Sequence, residues 1–274
     1  MAGCLIACQK EITALPVNEI LPFDSIPVVK LINPIIEEGS GIADSKANPG
    51  YLWVQEDSGN PAELFLLSYN GVTLKKIYIK NSSNRDWEDI ALSGSDLYIA
   101  DIGDNQQVYT EYTIYRVPEP ISTLDTANSL EAIKFKYPDG SHDAEAFLID
   151  PSTKDIYIIT KRDVPAGIYK LSYPYSSMNT VILVTTLPFF GITGAALSFN
   201  GKEIIIRTYL NLYLFSRTTG QSIEKALQSK YIILPYISEP QGEAVTFAND
   251  NSGFFTLSEK GVAPGVNLYF YKRR

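Results

Sequence analysis

Cysteine and histidine are scarce in this sequence, and their scarcity excludes several kinds of catalytic and metal site. The two cysteines, Cys4 and Cys8, lie among the first eight residues, and His142 is the single histidine. The rest of the chain therefore cannot form a disulfide, a cysteine-based zinc site or a thiol nucleophile. No serine lies in a nucleophile-elbow motif, so a Ser-His-Asp triad is not indicated.

Positive charge and long apolar runs are also in short supply. Lys and Arg total 23 against 31 Asp and Glu, which gives a formal net charge of -8. Nucleic-acid binding needs a basic surface, so no nucleic-acid partner is expected. No apolar run reaches the roughly 20 residues of a membrane span. Gly-rich phosphate loops of the dinucleotide or Walker type are absent.

Tyrosine and phenylalanine, in contrast, are abundant. The chain has 18 Tyr and 12 Phe in 274 residues. These residue types favour pleated, half-buried surfaces, so an all-β fold is expected. The length fits two domains of ordinary size or one large all-β domain.

The N-terminus carries a short export motif. Leu5-Ile6-Ala7-Cys8 resembles a bacterial lipobox, in which the cysteine is lipidated after signal cleavage. The basic region and most of the apolar region of a signal are missing, so we expect the true start to lie upstream or to have been trimmed. The alternative is two ordinary cysteines. We predict a signal remnant with lipidation at Cys8 (residues 1–8), a tether (9–25) and one domain (26–274), held at the cell envelope, periplasmic or outer-surface side, by the lipid alone.

A short pattern recurs five times along the chain: a polar residue, a small or acidic residue, an apolar residue and usually Ala. The five copies begin at Ser40, Glu88, Glu145, Thr193 and Glu243, with spacings of 48, 57, 48 and 50 residues. This period is typical of propeller blades. Further short apolar-aromatic runs follow each start and indicate four-stranded blades.

The fifth unit ends after its third strand, at Arg274. Residues 28–32 form a strand-like run with no earlier partner, and as the outer strand of the last blade they would close the ring and hide sheet edges. We therefore predict a monomeric five-bladed β-propeller. The alternative is a six-bladed propeller with one blade hidden in the 57-residue unit.

The five pattern starts should lie together, because the first strand of each blade lines the central channel. Three converging carboxylates would repel one another and need a cation, shared protons or water. Carboxylates and hydroxyls suit calcium, so we predict Ca²⁺ as cofactor. The predicted ligands are Ser40, Glu88, Glu145, Thr193 and Glu243. In the alternative interpretation the glutamates bind neighbouring backbone N–H groups and pin the blades together.

The blade number and the Ser, Glu, Glu, Thr, Glu ring resemble the calcium-activated nucleotidases of the apyrase family. Asp57-Ser58-Gly59 is similar to an acidic turn in that family. Residues 87–91 and 241–244 are similar to motifs of phytase-like and regulator-associated propellers of bacterial secreted proteins. The resemblance covers the architecture of residues 25–274 but only short motifs within it. It implies a tunnel calcium and the hydrolysis of phosphate esters.

Charged residues follow the second strands and should surround one mouth of the channel. They are Glu56, Asp57, Asp101, Asp104, Lys161, Arg162, Arg207, Glu259 and Lys260. Acids from blades one and two would face bases from blades three to five. Arg162, Arg207 and Lys161 are candidates to hold phosphate oxygens. Asp57 or Asp101 is a candidate to activate water. The alternative is that these loop charges are solvated and paired with each other.

The leading hypothesis is therefore an exported, lipid-anchored propeller with a tunnel calcium that hydrolyses a small phosphate ester or nucleotide. Because a fold does not determine a function, catalysis stays open. The main alternative is a non-catalytic propeller that binds a glycan or a protein at the cell surface. A third is a scaffold lipoprotein whose acidic ring only stabilises the tunnel.

Overall fold

The computed structural model describes residues 21–274, and five small sheets account for nearly all of its regular structure. The chain begins with β1 (Val28–Leu31), and blade one follows as β2 (Gly39–Asp44), β3 (Tyr51–Glu56), β4 (Glu63–Ser68) and β5 (Thr73–Ile79). Next come β6 (Trp87–Ser93), β7 (Asp96–Asp101), β8 (Tyr112–Pro118), β9 (Thr126–Ala127) and β10 (Glu131–Lys136). Blade two consists of these strands except β9, which pairs with blade one.

The second half of the chain repeats this plan. It continues with β11 (Ala144–Ile149), β12 (Ile156–Thr160), β13 (Ala166–Leu171), β14 (Asn179–Thr180) and β15 (Ile182–Leu187). These strands form blade three, except that β14 joins blade two. Blade four is β16 (Ile192–Leu197), β17 (Glu203–Thr208), β18 (Leu212–Ser216) and β19 (Tyr231–Leu234), with the short helix α1 (Ile223–Leu227) before β19. Blade five is β20 (Gln241–Phe247), β21 (Gly253–Glu259), β22 (Asn267–Lys272) and β1.

The N-terminal strand closes the ring as the sequence predicts. β1 lies antiparallel to β22, with Val28 opposite Phe270 and Leu31 opposite Asn267. The innermost strands β2, β6, β11, β16 and β20 each contact the next one, and β20 contacts β2 again. The five-bladed propeller is therefore confirmed, and residues 21–274 contain no sixth blade.

Two features of the outer edges were not predicted. β9 adds a parallel fifth strand to blade one beside β5, and β14 does the same for blade two beside β10. β9 lies within the long unit between Glu88 and Glu145, so part of the extra length of that unit runs back along blade one. The length that suggested a hidden blade thus covers a sheet edge, which otherwise presents unpaired backbone groups.

The aromatic residues fill the spaces between strands and blades. Phe254 stacks on Tyr271 with ring centroids 4.7 Å apart, and Phe189 stacks on Tyr213 at 3.8 Å. Over residues 21–274, buried apolar side chains form five clusters between the sheets. Such rings bury a large apolar area each, which accounts for the Tyr and Phe content.

The chain packs onto the propeller before residue 26. Phe23 is 1% exposed, and the Asp24 N–H donates to the Lys272 carbonyl at 2.8 Å. Residues 22–24, which fall in the predicted tether, therefore lie against the C-terminal segment. The predicted signal remnant, Cys8 and residues 9–20 of the tether lie outside the described residues. Within residues 21–274 no helix has the length and apolar character needed to cross a membrane.

Candidate metal centre and charged mouth

A β-bulge marks the same place in every blade. The pairing between the first and second strand skips one residue in each of the five sheets. The skipped residues are Ser40, Glu88, Glu145, Thr193 and Glu243. A bulged residue is unpaired in its ladder and its side chain can be re-aimed, which is why bulges are common beside functional sites. The five residues of the predicted ring are thus structurally equivalent.

All five ring side chains are buried, and the two hydroxyl groups connect neighbouring blades. Ser40 Oγ donates to the backbone carbonyl of Glu88 at 2.7 Å. Thr193 Oγ1 donates to the backbone carbonyl of Gly242 at 2.9 Å. Each hydroxyl oxygen keeps its lone pairs while its O–H group donates a hydrogen bond, so it can still accept a hydrogen bond or ligate a cation.

Lys161 enters the ring from the end of β12. Its Nζ donates to Glu145 Oε1 and lies 5.0 Å from the ring centroid of Tyr209. Burial alone would lower the pKa of Lys161, but the charges of Glu145 and Glu243 raise it above its ordinary value. The ammonium group is therefore a fixed positive charge on the side of the channel formed by blades three to five.

Two of the ring carboxylates have an oxygen without a hydrogen-bond partner. Glu145 Oε2 and Glu243 Oε2 are both buried, and neither has a partner among residues 21–274. Burial raises the pKa of Glu243 to about 7, although Lys161 and Arg207 oppose the shift. Buried polar atoms are normally satisfied, so these oxygens indicate water or a cation.

A second group of carboxylates lies where blades one and two meet. One oxygen each from Asp57, Asp86 and Glu88 lies within 4.8 Å of the other two. Burial and the neighbouring charge of Asp57 raise the pKa of Asp86 to about 7, and Asp86 Oδ1 has no partner among the described residues. Asn84 holds the Asp57 loop in place, because its Nδ2 donates to the carbonyls of Glu56 and Asp57 at 3.0 and 2.9 Å.

Asp143 connects the ring to the rim. One oxygen from Asp143 lies within 4.8 Å of oxygens of Glu88 and Glu145. Its own oxygens accept from the Asp104 N–H at 2.8 Å and from Arg162 Nε at 2.6 Å. The Arg162 side chain is 43% exposed at this mouth, so it can reach a bound molecule. We call Asp57, Asp86, Glu88, Asp143, Glu145 and Glu243 together the acidic mouth.

Arg207 and Asp101, both predicted to be catalytic, lie in the protein interior. The Arg207 side chain is fully buried. Its guanidinium group donates to Glu239 Oε2 and to the Ala244 carbonyl, each at 2.7 Å. Asp101 is buried, and its Oδ1 accepts from the Asp86 N–H at 2.8 Å. The structure thus brings Asp57 and Arg162 to the mouth and places Asp101 and Arg207 behind it.

The other predicted rim residues mostly hold loops. Glu56 Oε1 accepts from the Glu37 N–H at 3.1 Å, and Lys260 Nζ lies 3.0 Å from Glu37 Oε1. Asp104 accepts from the Val108 and Tyr109 N–H groups and from the Tyr112 hydroxyl. Burial and the charge of Glu243 raise the pKa of Glu259 to about 7. The predicted separation of acids from bases is therefore incomplete, because the cations pair directly with acids.

Two positions of the mouth were missed from the sequence. Asp86 precedes the first strand of blade two, and Gly103 follows the second. A Cβ at position 103 would lie 2.1 Å from Glu88 Oε1 and 2.5 Å from Asp86 Oδ2. Asp86 lies two residues before the bulged Glu88, as Asp143 lies two residues before the bulged Glu145, but this second repeat was overlooked. Gly103 has no glycine counterpart in the other repeats.

A separate groove lies between blades three and four. It has a volume of about 380 Å³. Arg217 Nη2 contacts Asp150 there, and Lys170 Nζ lies 2.7 Å from Asp155 Oδ2. Phe199 at its edge is 58% exposed. Paired charges beside an exposed ring provide both polar and apolar contacts for a ligand.

Comparisons with known proteins identify the fold but no family. No family model and no curated protein matches the chain. Among solved structures, a luciferin-regenerating enzyme is 11% identical over 90% of this chain and 95% of that chain, with a TM-score of 0.53. A nidogen/laminin complex is 11% identical (84% and 78% covered, TM-score 0.48). Hydrazine synthase of Kuenenia stuttgartiensis is 10% identical (84% and 82% covered, TM-score 0.46). Identity this low shows the fold alone, so the resemblance to calcium-activated nucleotidases and phytase-like propellers stays a prediction.

Proposed function

We propose that this propeller is a calcium-dependent hydrolase of small phosphate esters or nucleotides, acting at the acidic mouth. The observation that carries the proposal is the set of buried carboxylate oxygens without partners on Glu145, Glu243 and Asp86 among the described residues. Each unsatisfied buried acceptor costs about 1–3 kcal/mol, and more when it is charged. A bound cation and the water molecules around it would remove that cost.

The chemistry of the donor set fits calcium. The mouth offers carboxylate and hydroxyl oxygens, and the described residues contain no cysteine and no second histidine. Calcium takes 6–8 oxygen ligands in flexible geometry, whereas zinc prefers nitrogen and sulfur. Water molecules would complete the coordination.

The residues around the mouth suit a phosphate ester. A bound calcium would polarise a phosphoryl oxygen and lower the pKa of a coordinated water. Arg162 has its exposed guanidinium group at the edge, where it can bind another phosphoryl oxygen. Asp57 lies among the carboxylates of the mouth, where it can help to position a coordinated water for attack. Asp101 and Arg207 act in this proposal as positioning residues.

An assay of hydrolysis tests the proposal. The purified protein is incubated with p-nitrophenyl phosphate, ATP or inositol hexakisphosphate, in calcium and in chelator. Asp57→Asn and Arg162→Met should each lower the calcium-dependent rate at least about 10-fold, while Lys260→Met serves as a control from the outer rim. No hydrolysis of any of the three substrates in calcium would contradict the enzymatic proposal.

Export and lipid anchoring belong to the same proposal and are supported by the Leu5-Ile6-Ala7-Cys8 motif. Metabolic labelling with a fatty acid tests it. Cys8→Ala should abolish the label and Cys4→Ala should not. Label that depends on Cys4 would contradict the assignment, as would no label in a bacterium that expresses the protein with a complete signal upstream.

A second candidate function is glycan or peptide binding, favoured by the groove between blades three and four. Phe199 offers an exposed ring beside the Arg217–Asp150 and Lys170–Asp155 pairs. Planar polar groups next to an aromatic side chain can bind sugars. A glycan array probed with the protein and with Phe199→Ala tests this candidate. Binding that does not depend on Phe199 would exclude the groove.

A further inference from the structure

Lys161 divides the acidic mouth into two halves. Its ammonium group contacts Glu145 Oε1, whereas Glu243, Asp57 and Glu88 feel its charge without an ion pair within 4.0 Å. An axial cation shared by all five blades would have to approach Glu145 and Glu243 beside a positive charge that is already present. Two like charges at short range in a buried site repel strongly. The half formed by blades three to five is therefore already partly neutralised.

The other half lacks such a direct ion pair within residues 21–274. Among residues 21–274, Asp57, Asp86 and Glu88 form no ion pair within 4.0 Å with a basic side chain. The nearby Asp143 is occupied by Arg162 and by the Asp104 N–H. Asp86 is only 7% exposed, and its Oδ1 has no hydrogen-bond partner in the described part of the chain. An unpaired buried carboxylate among two others needs a cation or a proton.

Gly103 has no side chain, and this leaves the space in which the carboxylates of Asp86 and Glu88 approach each other. The φ of Gly103 lies outside the left-handed region, so its backbone conformation does not call for glycine. A side chain would collide instead, because its Cβ would lie 2.1 Å from Glu88 Oε1 and 2.5 Å from Asp86 Oδ2. The Gly103 N–H also donates to the Asp86 carbonyl at 3.2 Å. Glycine at this position therefore preserves the approach of two carboxylates.

We propose that the metal ion binds off the channel axis, on Asp57, Asp86 and Glu88 between blades one and two, while Lys161 pairs with Glu145. The choice of calcium as the ion rests on the proposed function, but the position of the site rests on the contacts above. Three carboxylates within 4.8 Å of one another and bound water supply the oxygen ligands that calcium prefers. Glu88 is the one predicted ring ligand that belongs to this site, and Asp86 is its principal new ligand.

Isothermal titration of the full chain with CaCl₂ at pH 7.5 tests the position. Asp86→Asn should weaken binding at least about 10-fold, since it removes a ligand charge. Gly103→Ala should also weaken it, because the new Cβ displaces the carboxylates. Glu243→Gln should change the dissociation constant less than about 3-fold, because Glu243 does not belong to the group of three ligands. Asp96→Asn, at the far end of β7, is the control for the loss of one acidic charge.

The outcomes separate this inference from the proposed function. If Glu243→Gln abolishes binding and Asp86→Asn leaves it unchanged, the ion lies on the axis: the off-axis site is wrong, while a calcium-dependent function stands. If the wild-type chain binds no calcium, both fail. Circular dichroism of each variant checks folding, and Asp86→Asn, which is isosteric, decides the result if Gly103→Ala does not fold.

Discussion

Lys161 neutralises only one oxygen of the Glu145 carboxylate: its Nζ donates to Oε1, while Oε2 is buried with no partner among residues 21–274. The pair is almost entirely buried, with side-chain exposures of 11% and 4%. A fixed internal cation thus sits among acids of the channel. Its positive charge offsets part of the electrostatic repulsion among the carboxylates of the ring.

Removing this cation should destabilise the protein. Lys161→Met leaves the buried carboxylates of Glu145 and Glu243 without it, and breaking a buried pair costs about 3–5 kcal/mol. The loss should be larger at pH 8 than at pH 5, because protonation of the carboxylates removes the uncompensated charge. Urea unfolding at the two pH values measures it.

The control for this experiment is Lys260→Met. Its pair with Glu37 has side-chain exposures of 34% and 59%, and such surface pairs contribute about 0–1 kcal/mol. Equal losses for the two lysine variants would contradict the internal role of Lys161.

Arg207 should behave as a structural residue. Its side chain and that of Glu239 are both fully buried, and Thr256 Oγ1 also donates to Glu239 at 2.5 Å. Arg207→Met should therefore lower the free energy of unfolding by about 3–5 kcal/mol. The double variant Arg207→Met/Glu239→Gln should recover part of that loss, because no unpaired charge then stays buried.

Urea unfolding of the variants, with Arg274→Met as the exposed control, measures these changes. Arg274 Nε lies 2.9 Å from Asp24 Oδ1 in a solvent-exposed pair. Loss of this pair should lower the free energy of unfolding by less than about 1 kcal/mol. A stable Arg207→Met protein that has lost only activity would instead favour direct contact with substrate.

Phe23 should anchor the N-terminal segment. Its ring meets Phe254 edge to face with centroids 4.9 Å apart, and the Arg273 guanidinium carbon lies 4.5 Å from its centroid. Phe23→Ala should cost about 3–5 kcal/mol, as for other buried aromatic residues. Ile26 is 80% exposed, so Ile26→Ala should change stability by less than about 0.5 kcal/mol. Thermal and urea unfolding distinguish them, and equal effects would be inconsistent with an anchor at Phe23.

The repeat pattern identified five structurally equivalent positions because one β-bulge recurs in every blade. The pattern starts, such as Glu88 and Glu145, coincide with the bulged residue of each innermost strand. The strand-like run at residues 28–32, which has no earlier partner, also located β1 and its closure of blade five. The bulged positions repeat along the chain, and the β1 run is a strand without an earlier partner. Both signals are visible in the sequence alone, so the sequence is sufficient to predict them.

Other parts of the site depend on contacts that have no period. Arg207 reads as a rim cation from its place at the end of β17, but its partner Glu239 lies 32 residues away in a loop. Lys161 reads as a phosphate ligand, but its long side chain reaches Glu145. Gly103 matters only because two carboxylates from another segment pack on it. Burial and pairing of these residues follow from loop geometry rather than from strand pattern.

Asp44, at the end of β2, should make stability depend on pH away from the candidate metal site. Its carboxylate accepts from Tyr69 OH and from the Asn249 N–H, each at 2.6 Å. Burial nevertheless raises the pKa of Asp44 to about 6, and the nearby acids Asp250 and Glu119 add to the shift. The folded protein thus binds this proton more tightly than the unfolded chain, whose pKa is about 3.9.

The sign follows from proton linkage. Between about pH 4 and pH 6 the folded state holds more protons at Asp44, so the free energy of unfolding should fall as the pH rises through that window. The size is on the order of 2–3 kcal/mol, at 1.36 kcal/mol for each pKa unit.

Asp44→Asn removes the titration, so the difference in unfolding free energy between wild type and variant should decline over the same window. Tyr69→Phe removes a donor to the charged form and should shift the window to higher pH. Urea unfolding at half-unit steps from pH 4 to 8 measures both curves, and parallel wild-type and Asp44→Asn curves would exclude Asp44 as the titrating group.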